Sequence, residues 1–322
     1  MPIQKYQYDG PIDHTIPIDH AQLKGKCVII TGGANGMGEA AVRHFVSHGS
    51  FVCIADVDSQ RGEALSSELN TQYGSTQTFF ITVDIRDWEQ QKRMFDEALN
   101  RFGAIDVVIA NAGISRSSGD SLWTLDDPNG EPTKPDLNIM EVNLRGSFYT
   151  WKLAVHYWRK QKESDERDRS FIITGSMVGW IDSPGNWEYT ATKHGLKGFM
   201  RTVRRSSWEQ GIRINYVAPC WIKSAIRTKE YETWLIDHGI EFGEQEDVAA
   251  CMMKIASDKS INGRSLMIVP RTIAKEGYKD IDKDDYTEDD GHNGYFKRTQ
   301  ETQLVIIEDK WSNDYKVRVY KA

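Results

Sequence analysis

A phenol and an ammonium group stand four residues apart at Tyr189 and Lys193, in the run Tyr-Thr-Ala-Thr-Lys. On a helix, side chains with this spacing project from the same face. Free tyrosine has a pKa of about 10, and a neighbouring cation lowers that value by stabilising the phenolate. We therefore predict that Lys193 lowers the pKa of Tyr189 and makes it a general acid and base. Ser176, at the end of an apolar run, can donate a hydrogen bond to a substrate oxygen.

A glycine-rich turn, Thr31–Gly38, directly follows the first apolar run and opens a predicted helix. Its glycines permit a tight turn and close approach of the backbone to a ligand. The amino terminus of the helix presents free N–H groups and the positive end of its dipole, which suits a pyrophosphate. We predict a dinucleotide site here. The expected contacts in the turn are Gly32, Asn35, Gly36, Met37 and Gly38.

The choice between the two nicotinamide dinucleotides depends on Asp56, which ends the second apolar run. A carboxylate about 20 residues beyond such a turn accepts hydrogen bonds from the adenosine ribose and repels a 2′-phosphate. The turn carries Asn35 where a cation would favour NADP. NAD is the predicted cofactor. The alternative is that Asp56 is an ordinary strand-end aspartate that starts the turn Asp56-Val57-Asp58.

The elements that must position these groups are indicated by short apolar runs that alternate with helix-like segments. This alternation is typical of a parallel sheet with helical crossovers, so we predict an α/β fold. The sheet is of the doubly wound Rossmann type, with about seven strands and helices on both faces, over residues 23–270. Ligands then bind at the carboxyl ends of the strands. The predicted strands are Cys27–Thr31, Val52–Asp56, Thr78–Val83, Val107–Ala110, Phe171–Thr174, Arg213–Val217 and Leu266–Val269.

Several segments lie outside this regular pattern. Residues 1–22 form a predicted N-terminal arm, and residues 271–322 a C-terminal acidic linker and strand-like extension. Within the extension, Leu304–Ile307 and Tyr315–Tyr320 have strand character. Ser115–Asp136 is rich in Ser, Asp, Pro and Gly and is predicted to be a long loop. Lys223–Gly243 is predicted to be a mobile lid over the substrate.

Composition excludes several classes of function. The 322 residues carry a net charge of -7, and no basic patch is evident, which argues against a nucleic-acid partner. No apolar run approaches the length of about 20 residues that a bilayer span needs, so we expect no membrane association. The four cysteines lack metal-binding spacing, and no leader pattern is visible. We expect no metal site and a cytoplasmic protein.

Several motifs occur in one order: Thr31-Gly32-x3-Gly36-x-Gly38, then Ala110-Asn111-Ala112-Gly113, then Tyr189-x3-Lys193. From about Leu23 to Pro270 the chain resembles the short-chain dehydrogenases/reductases. The resemblance implies an oxidoreductase that moves a hydride between NAD and a secondary alcohol or ketone. In that scheme Asn143 holds a water that relays protons to Lys193, which also contacts the nicotinamide ribose. The implied catalytic residues are Asn143, Ser176, Tyr189 and Lys193.

The resemblance also extends the cofactor site beyond the glycine turn. Cys220 stands where the family usually has glycine, and Ser224 stands where it has the threonine that contacts the cofactor. Cys220 places the local backbone geometry in question, whereas Ser224 preserves a hydroxyl. The further cofactor contacts implied are Asp84, Ile85, Asn111, Ala112, Gly113, Tyr189, Lys193, Pro219, Ile222 and Ser224.

The substrate is predicted from large side chains near the catalytic groups. Aromatic side chains there would supply a stacking surface for a bulky, largely apolar small molecule, with ordinary core packing as the alternative. The run Ser257–Arg264 and the tail resemble the 15-hydroxyprostaglandin-dehydrogenase-like branch, including fungal relatives associated with secondary metabolism. The predicted pocket residues are Met177, Trp180, Trp187 and Trp221.

Other functions remain open at this point. The rivals are an NADPH-using ketone reductase, a repurposed non-redox enzyme of a biosynthetic pathway, and an NAD-binding sensor or scaffold without turnover. The intact Tyr189 and Lys193 favour an enzyme over a scaffold. By resemblance we expect a homodimer or homotetramer, formed through the predicted helices at Asn143–Lys160 and Tyr189–Glu209.

Overall fold

One sheet of eight strands forms the centre of the computed structural model, which describes residues 3, 5–116, 119, 122, 124–162, 167–223, 228–288 and 293–305. The strand order is β3-β2-β1-β4-β5-β6-β7-β8, and the pairs from β3 to β7 are all parallel. The strands are β1 (Cys27–Thr31), β2 (Phe51–Asp56), β3 (Thr78–Thr82), β4 (Val107–Ala110), β5 (Ser170–Thr174), β6 (Arg213–Ala218), β7 (Ser265–Ile268) and β8 (Tyr278–Asp280).

Helices cover both faces of this sheet. Two of them begin with an aspartate whose carboxylate accepts backbone N–H groups: Asp58 bonds Arg61 N, and Asp87 bonds Glu89 N and Gln90 N. The helices are α1 (Gly36–Ser47), α2 (Ser59–Tyr73), α3 (Trp88–Phe102), α4 (Asn138–Met140), α5 (Ser147–Lys160), α6 (Trp187–Val203), α7 (Lys229–Asp237) and α8 (Gln245–Ser257).

The strand order reverses direction between β1 and β4, where the chain crosses from one half of the sheet to the other. Ile30 of β1 pairs with Ile54 on one side and with Ile109 on the other, and all three are buried. A crevice at the carboxyl ends of the strands opens at such a point, and it is the usual ligand site of this architecture. The prediction of a doubly wound α/β fold is therefore confirmed.

The sheet has one strand more than the seven predicted. β8 pairs with β7 in the antiparallel sense and lies beyond Pro270, in the stretch predicted to be an acidic linker. Its three residues, Tyr-Lys-Asp, are too few to show an alternating pattern. Asp280 is held there by Arg264, whose Nε lies 2.8 Å from its carboxylate, and both side chains are buried.

The predicted N-terminal arm also contributes a buried side chain. Tyr6 is 7% exposed, and its hydroxyl accepts a hydrogen bond of 2.8 Å from the Arg204 guanidinium. The larger of two compact units comprises Met1–Gln7 and Pro11–Asp280. Among the described residues, the sheet domain therefore includes part of the arm and continues to Asp280.

A buried ionic cluster joins strands at the amino end of the sheet. The Asp168 carboxylate lies 2.6 Å from Arg213 Nη2 and 3.5 Å from Lys26 Nζ. All three side chains are buried, so each charge depends on its partners for compensation. This cluster lies at the edge of the sheet opposite the carboxyl ends and stabilises the fold rather than the crevice.

The second compact unit comprises Tyr8–Gly10 and Ile281–Ala322. Residues 295–305 are helical, so the prediction of a strand at Leu304–Ile307 is wrong for Leu304 and Val305. A run of four apolar residues is too short to distinguish a strand from the end of a helix, and Gln300–Gln303 before it tolerate a helix. The other predicted strand, Tyr315–Tyr320, lies outside the described residues. No helix in the described ranges is long and apolar enough to cross a membrane.

Candidate active site

The glycine turn between β1 and α1 forms an open cradle. Gly32 and Gly36 adopt left-handed φ values of 63° and 57°, which other residues rarely adopt. A Cβ atom at Gly38 would lie 1.9 Å from Gly32 O, so the tight turn requires glycine at this position. Asn35 precedes the helix, is exposed, and makes no side-chain capping bond. The amino terminus of α1 therefore faces the crevice with Met37 and Gly38 in its first turn.

Asp56 lies beside this cradle at the end of β2. Its Oδ2 atom accepts a hydrogen bond of 3.0 Å from Ala34 N in the turn, and its Oδ1 accepts one of 3.1 Å from Asp58 N. These bonds fix the carboxylate against the turn while leaving the side chain half-buried. Since a carboxylate has about four acceptor sites, each oxygen retains capacity for a ribose hydroxyl.

Asn111 ties the turn to the end of β4. Its Nδ2 donates to Thr31 O at 3.1 Å and to Gly32 O at 2.9 Å. The Thr31 hydroxyl in turn accepts from the backbone N–H groups of Asn111 and Ala112. Asn111 Oδ1 is buried without a hydrogen-bond partner. This residue and Ala112 therefore brace the cradle from the neighbouring strand, and Gly113 is exposed next to them.

Two of the cofactor contacts implied by the resemblance, Asp84 and Ile85, lie just after β3. Ile85 is buried, and its carbonyl accepts a bond from Gln91. Both Asp84 oxygens are engaged by the Arg86 guanidinium, at 2.9 Å from Nε to Oδ1 and 2.5 Å from Nη2 to Oδ2. The pKa of Asp84 is lowered, chiefly by this bond. Asp84 is thus held as a carboxylate at the rim of the crevice.

The predicted acid–base group combines β5 and α6. Ser176 follows β5, Tyr189 lies in the first turn of α6, and the Ser176 hydroxyl is close enough to the phenol to lower its pKa. Lys193 lies one helical turn later, with its Nζ 5.3 Å from the centroid of the Tyr189 ring. The Lys193 ammonium donates to Thr174 O at 3.0 Å, which joins α6 to the end of β5. Lys193 thus lies beside the Tyr189 ring and is bonded to the end of β5.

The electrostatics of this group differ from the prediction in one respect. Burial raises the pKa of Tyr189, and the bond from Ser176 opposes this effect. Lys193 is 5% exposed, and burial lowers its pKa to about 8. The lowering of the pKa of Tyr189 predicted from the neighbouring Lys193 is therefore opposed by desolvation of the phenol. Desolvation of the phenol is the larger effect, and the ammonium is itself destabilised by the same apolar surroundings.

Asn143 is presented by an irregular helical turn. Residues Glu141–Gly146 form a single π-helical turn between α4 and α5, a feature that frequently accompanies functional sites. The buried Asn143 amide donates to Ile114 O and accepts from Ile114 N, both at 2.8 Å. Its Nδ2 also lies 3.3 Å from Thr192 Oγ1 on α6. Asn143 thus links the chain after β4 to the helix that carries Tyr189 and Lys193.

The predicted pocket residues take different places. Trp187 begins α6, two residues before Tyr189, and is 45% exposed. Trp221 packs edge-on against Phe242 at 6.4 Å between ring centroids. Met177 is half-buried beside Pro219, whose carbonyl accepts from its N–H. Trp180 instead packs against the Tyr216 ring at 5.4 Å and beneath the Lys197 ammonium, on the inner side of the loop that carries Ser176.

The segment predicted to be a lid, Lys223–Gly243, forms an excursion whose two ends are joined by backbone hydrogen bonds. Ile222 and Gly243 form a parallel bridge, with Lys223 N bonded to Gly243 O and Gly243 N bonded to Trp221 O. The described part of the excursion contains α7, which presents a stacked row of rings at Tyr231, Trp234 and His238. Tyr231 and Trp234 are each about half exposed. Ser224 lies outside the described residues, and Cys220 is exposed at the start of this segment.

Two residues near the site escaped the sequence analysis. Glu188, next to Tyr189, is 4% exposed, and its carboxylate accepts a hydrogen bond of 2.7 Å from Leu122 N. It therefore holds Leu122 next to the helix turn that carries Tyr189. Tyr216 of β6 is fully buried, with its hydroxyl bonded to Ser176 N at 3.0 Å. The sequence around Glu188 and Tyr216 does not indicate these contacts, because both join residues that are far apart in the chain.

Comparison with known proteins agrees with this geometry. Residues 26–234 match the family model described as short chain dehydrogenase. The chain belongs to the short-chain dehydrogenase family. Short-chain dehydrogenases bind a nicotinamide dinucleotide, and the open cradle at Gly32–Gly38 with its uncapped helix terminus fits such a group. The glycine turn and Asp56 would hold it, as derived above.

Two fungal short-chain dehydrogenases are similar to the chain over most of its length. The 5'-hydroxyaverantin dehydrogenase of Dothistroma septosporum is 30% identical over 287 residues, covering 83% of this chain and 90% of the relative. The NADP-dependent dehydrogenase M3 of a Phoma species is 30% identical over 279 residues, covering 82% and 80% respectively. A short chain dehydrogenase from Burkholderia cenocepacia, solved in complex with NADP, superposes with a TM-score of 0.64 at 24% identity, over 76% of this chain and 97% of that one. This last likeness supports the fold alone.

Proposed function

We propose that the protein is an NAD-dependent dehydrogenase that oxidises a secondary alcohol on a bulky, largely apolar small molecule. The observation that carries the proposal is the meeting of Ser176, Tyr189 and Lys193 at the carboxyl end of β5, in the crevice that also contains the glycine cradle. The dinucleotide, when bound, accepts or supplies the hydride. The chain itself supplies position, proton transfer and a dry environment.

Tyr189 is the proposed proton acceptor in oxidation and donor in reduction. Ser176 Oγ accepts a hydrogen bond from Val178 N at 3.2 Å, which leaves its own proton available to donate towards the phenol or the substrate oxygen. A substrate oxygen placed between these two hydroxyls loses its proton to Tyr189 while Ser176 holds its position. Because burial raises the pKa of Tyr189, the phenol is protonated at neutral pH in the free protein, so oxidation should quicken as the pH rises.

Lys193 and Asn143 are proposed to support this proton transfer. With a pKa of about 8, Lys193 is mostly protonated at pH 7, so its charge opposes the desolvation of the phenolate. Asn143 connects α6, through Thr192, to the chain after β4, through Ile114. A water relay through Asn143 to Lys193, implied by the family resemblance, is part of the proposal.

A test of the acid–base role compares Tyr189→Phe with wild type on phenyl- and naphthyl-substituted secondary alcohols. General acid–base catalysis contributes a factor of about 10² to 10⁴, so turnover should fall by that amount. Tyr73→Phe, at the partly exposed end of α2, is the control and should leave turnover unchanged. Retention of more than about a hundredth of wild-type turnover in Tyr189→Phe would show that the assigned role is wrong.

The preference for NAD is proposed from the charges at the end of β2. Asp56 is fixed against the turn by Ala34 N, and Asp58 adds a second carboxylate two residues later. Both would repel a 2′-phosphate, whereas Asp56 can accept from ribose hydroxyls. The other contacts proposed for the cofactor are those implied by the family resemblance, including Asp84, Ile85, Pro219, Ile222 and Ser224.

Calorimetric titration with NAD and with NADP tests this preference. The wild type should bind NAD at least about tenfold more tightly, a difference of about 1.4 kcal/mol, and Asp56→Ala should remove most of it. Asp87→Ala, which removes the capping aspartate of α3, is the control and should keep the preference. Tighter binding of NADP by the wild type would overturn the assignment.

The second candidate is an NADPH-using ketone reductase. The observation that favours it is the name of the Phoma relative, which is an NADP-dependent dehydrogenase. The same residues serve both directions, since proton transfer by Tyr189 is reversible. Faster ketone reduction with NADPH than alcohol oxidation with NAD, together with tighter NADP binding, would establish this candidate over the first.

The substrate class is proposed from the large side chains around Tyr189. Trp187 lies exposed on the first turn of α6, the Trp221–Phe242 pair stands at the base of the 223–243 excursion, and the Tyr231–Trp234 stack lines α7. Rings of this kind favour a bulky apolar or planar substrate. We further propose that the excursion closes over the substrate. The Dothistroma relative is named for a hydroxylated compound, 5'-hydroxyaverantin.

Three further assignments belong to the same proposal. The first is membership of the 15-hydroxyprostaglandin-dehydrogenase-like branch, proposed from the resemblance of Ser257–Arg264 alone, together with a role in secondary metabolism, for which the similarity to the two fungal dehydrogenases is the support. The second is a homodimer or homotetramer, supported by the partly exposed Phe148 of α5, which packs on Phe199 of α6 at 4.8 Å. The third is a cytoplasmic location, supported by four free cysteines.

A further inference from the structure

A buried phenol lies directly beneath the catalytic group. Tyr216 belongs to β6, and its hydroxyl accepts a hydrogen bond of 3.0 Å from Ser176 N. The same hydroxyl lies 3.2 Å from Lys193 O and 3.4 Å from Ser176 O, so its proton is shared between two carbonyl groups. One side chain therefore connects the backbone of the residue after β5 to the backbone of α6.

The surrounding residues are shaped to admit this ring. A Cβ atom at Gly175 would lie 1.7 Å from Tyr216 Cζ, so any larger residue at position 175 would collide with the phenol. On the other side, a Cβ atom at Gly179 would lie 3.2 Å from the Tyr216 hydroxyl. Trp180 closes the site with its ring edge-on to Tyr216 at 5.4 Å. The loop that carries Ser176 is therefore built around Tyr216.

The consequence for Ser176 is a fixed direction for its hydroxyl. Its backbone is extended, with φ -170° and ψ 158°, and its N–H is held by Tyr216. Its Oγ accepts from Val178 N at 3.2 Å, which leaves the hydroxyl proton available to donate to Tyr189. The bond between Ser176 and Tyr189 lowers the pKa of Tyr189, the direction expected when Ser176 donates to the phenolate.

We propose that Tyr216 is a positioning residue whose hydroxyl holds the backbones of Ser176 and Lys193 so that the Ser176 hydroxyl meets Tyr189. The inference rests on the proposed function, because it concerns the efficiency of the same proton transfer. Tyr216 bonds the backbone carbonyl of Lys193 and not its ammonium. Its loss should therefore alter turnover and the titration of Tyr189 more than cofactor affinity.

The decisive variant is Tyr216→Phe, which keeps the ring and removes the hydroxyl. A misplacement of about 1 Å at a reacting group costs on the order of 10² in rate, so kcat should fall about tenfold to a hundredfold. The Kd for NAD should stay within about threefold of wild type. The control is Tyr157→Phe on α5, a largely buried tyrosine whose hydroxyl bonds Asp96, and this substitution should leave kcat unchanged.

A second readout separates positioning from a merely structural role. The pH at which oxidation reaches half its maximal rate should rise in Tyr216→Phe, because a misdirected Ser176 no longer stabilises the phenolate. Tyrosinate absorbance is measured against pH in the wild type and in Tyr216→Phe, each with and without the additional substitution Tyr189→Phe. The absorbance lost when Tyr189 is replaced gives the titration of Tyr189 without any turnover. An upward shift in the Tyr216→Phe background supports the inference even if no substrate is turned over.

The possible results distinguish a failure of this inference from a failure of the proposed function. If Tyr216→Phe only loses thermal stability, as Tyr157→Phe does, with kcat and the Tyr189 titration unchanged, the inference is overturned while the proposed function stands. If wild type and Tyr189→Phe turn over equally, the proposed function fails instead. If Tyr216→Phe does not fold, Gly179→Ala displaces the phenol by a few tenths of an ångström and should lower kcat and raise the pH midpoint in the same direction.

Discussion

Replacing Lys193 by methionine should stabilise the folded protein at neutral pH while it removes the proposed catalytic activity. Lys193 is 5% exposed, and burial lowers its pKa from an ordinary 10.5 to about 8. The unfolded chain therefore holds a proton on this residue over a pH range in which the folded chain has released it. Folding is penalised below pH 8, and the penalty declines as the pH rises towards 10.5.

The magnitude follows from that difference in pKa. The fall from 10.5 to about 8 corresponds to a cost of about 3 kcal/mol at pH 7. The variant also loses the hydrogen bond to Thr174 O, which contributes about 1 kcal/mol. Lys193→Met should therefore gain about 2 kcal/mol in the free energy of unfolding at pH 7. Between pH 7 and pH 9.5 the wild type should recover about 2 kcal/mol relative to the variant.

Urea denaturation of both proteins without cofactor, at a series of pH values, measures this difference. Subtracting one curve from the other removes the groups that titrate equally in both. Lys254→Met is the matched control, since Lys254 is also buried but lies 3.2 Å from Asp258 and should lose stability at pH 7. A stability difference that stays constant with pH, or a variant less stable than wild type at pH 7, would refute the reasoning.

Three further substitutions give distinct expectations. Gly38→Ala places a methyl group 1.9 Å from Gly32 O, so the turn must open and the Kd for NAD, measured by calorimetry, should rise at least about tenfold. Asp168→Asn should lower the free energy of unfolding by about 3–5 kcal/mol, because the buried Arg213 loses its carboxylate partner and the buried Lys26 loses one of its nearby carboxylates. Burial raises the pKa of Asp168, but Arg213 and Lys26 lower it below its ordinary value overall. Its stabilising effect is thus present above pH 4 and is lost as the pH falls, which denaturation at acid pH would show. Glu188→Ala should raise the KM for bulky alcohols about tenfold with kcat within threefold, and Glu188→Gln should restore most of it, because the amide oxygen can still accept from Leu122 N. Equal KM values in steady-state assays would contradict this role.

Most of the parallel sheet could be predicted because its strands are buried on both faces. Their apolar runs are continuous, as in Cys27–Thr31 and Val107–Ala110, and each is followed by a turn and a helix. β8 could not be predicted, since its three residues gain their extended form from pairing with β7. The helix at 295–305 was mistaken for a strand in part, because four apolar residues carry no period of their own.

The candidate site was predictable where its chemistry is local in sequence. The glycine turn depends on φ values that its glycines adopt, and Tyr189 and Lys193 depend on one turn of helix. The direction in which the pKa of Tyr189 shifts was harder to predict from the sequence, because burial of Tyr189 is set by residues far along the chain. The pKa of the phenol is raised by desolvation, although its neighbour is a cation. Proximity of charge alone therefore did not determine the sign.

Tyr216 shows why the remaining part of the site lies beyond the sequence. It occupies the middle of the buried strand β6, where a tyrosine is expected to be part of the core. Its partners Ser176 and Lys193 are brought to it only when β5, β6 and α6 pack together. Gly175 has no positive φ, so its backbone conformation does not require glycine. The Tyr216 ring beneath it nevertheless excludes any Cβ atom at this position. The two residues are complementary in volume, and a phenol that joins two backbones needs that space. Substitution of Tyr216 or of Gly175 should therefore displace the other residue. Either substitution should also change the geometry of Ser176.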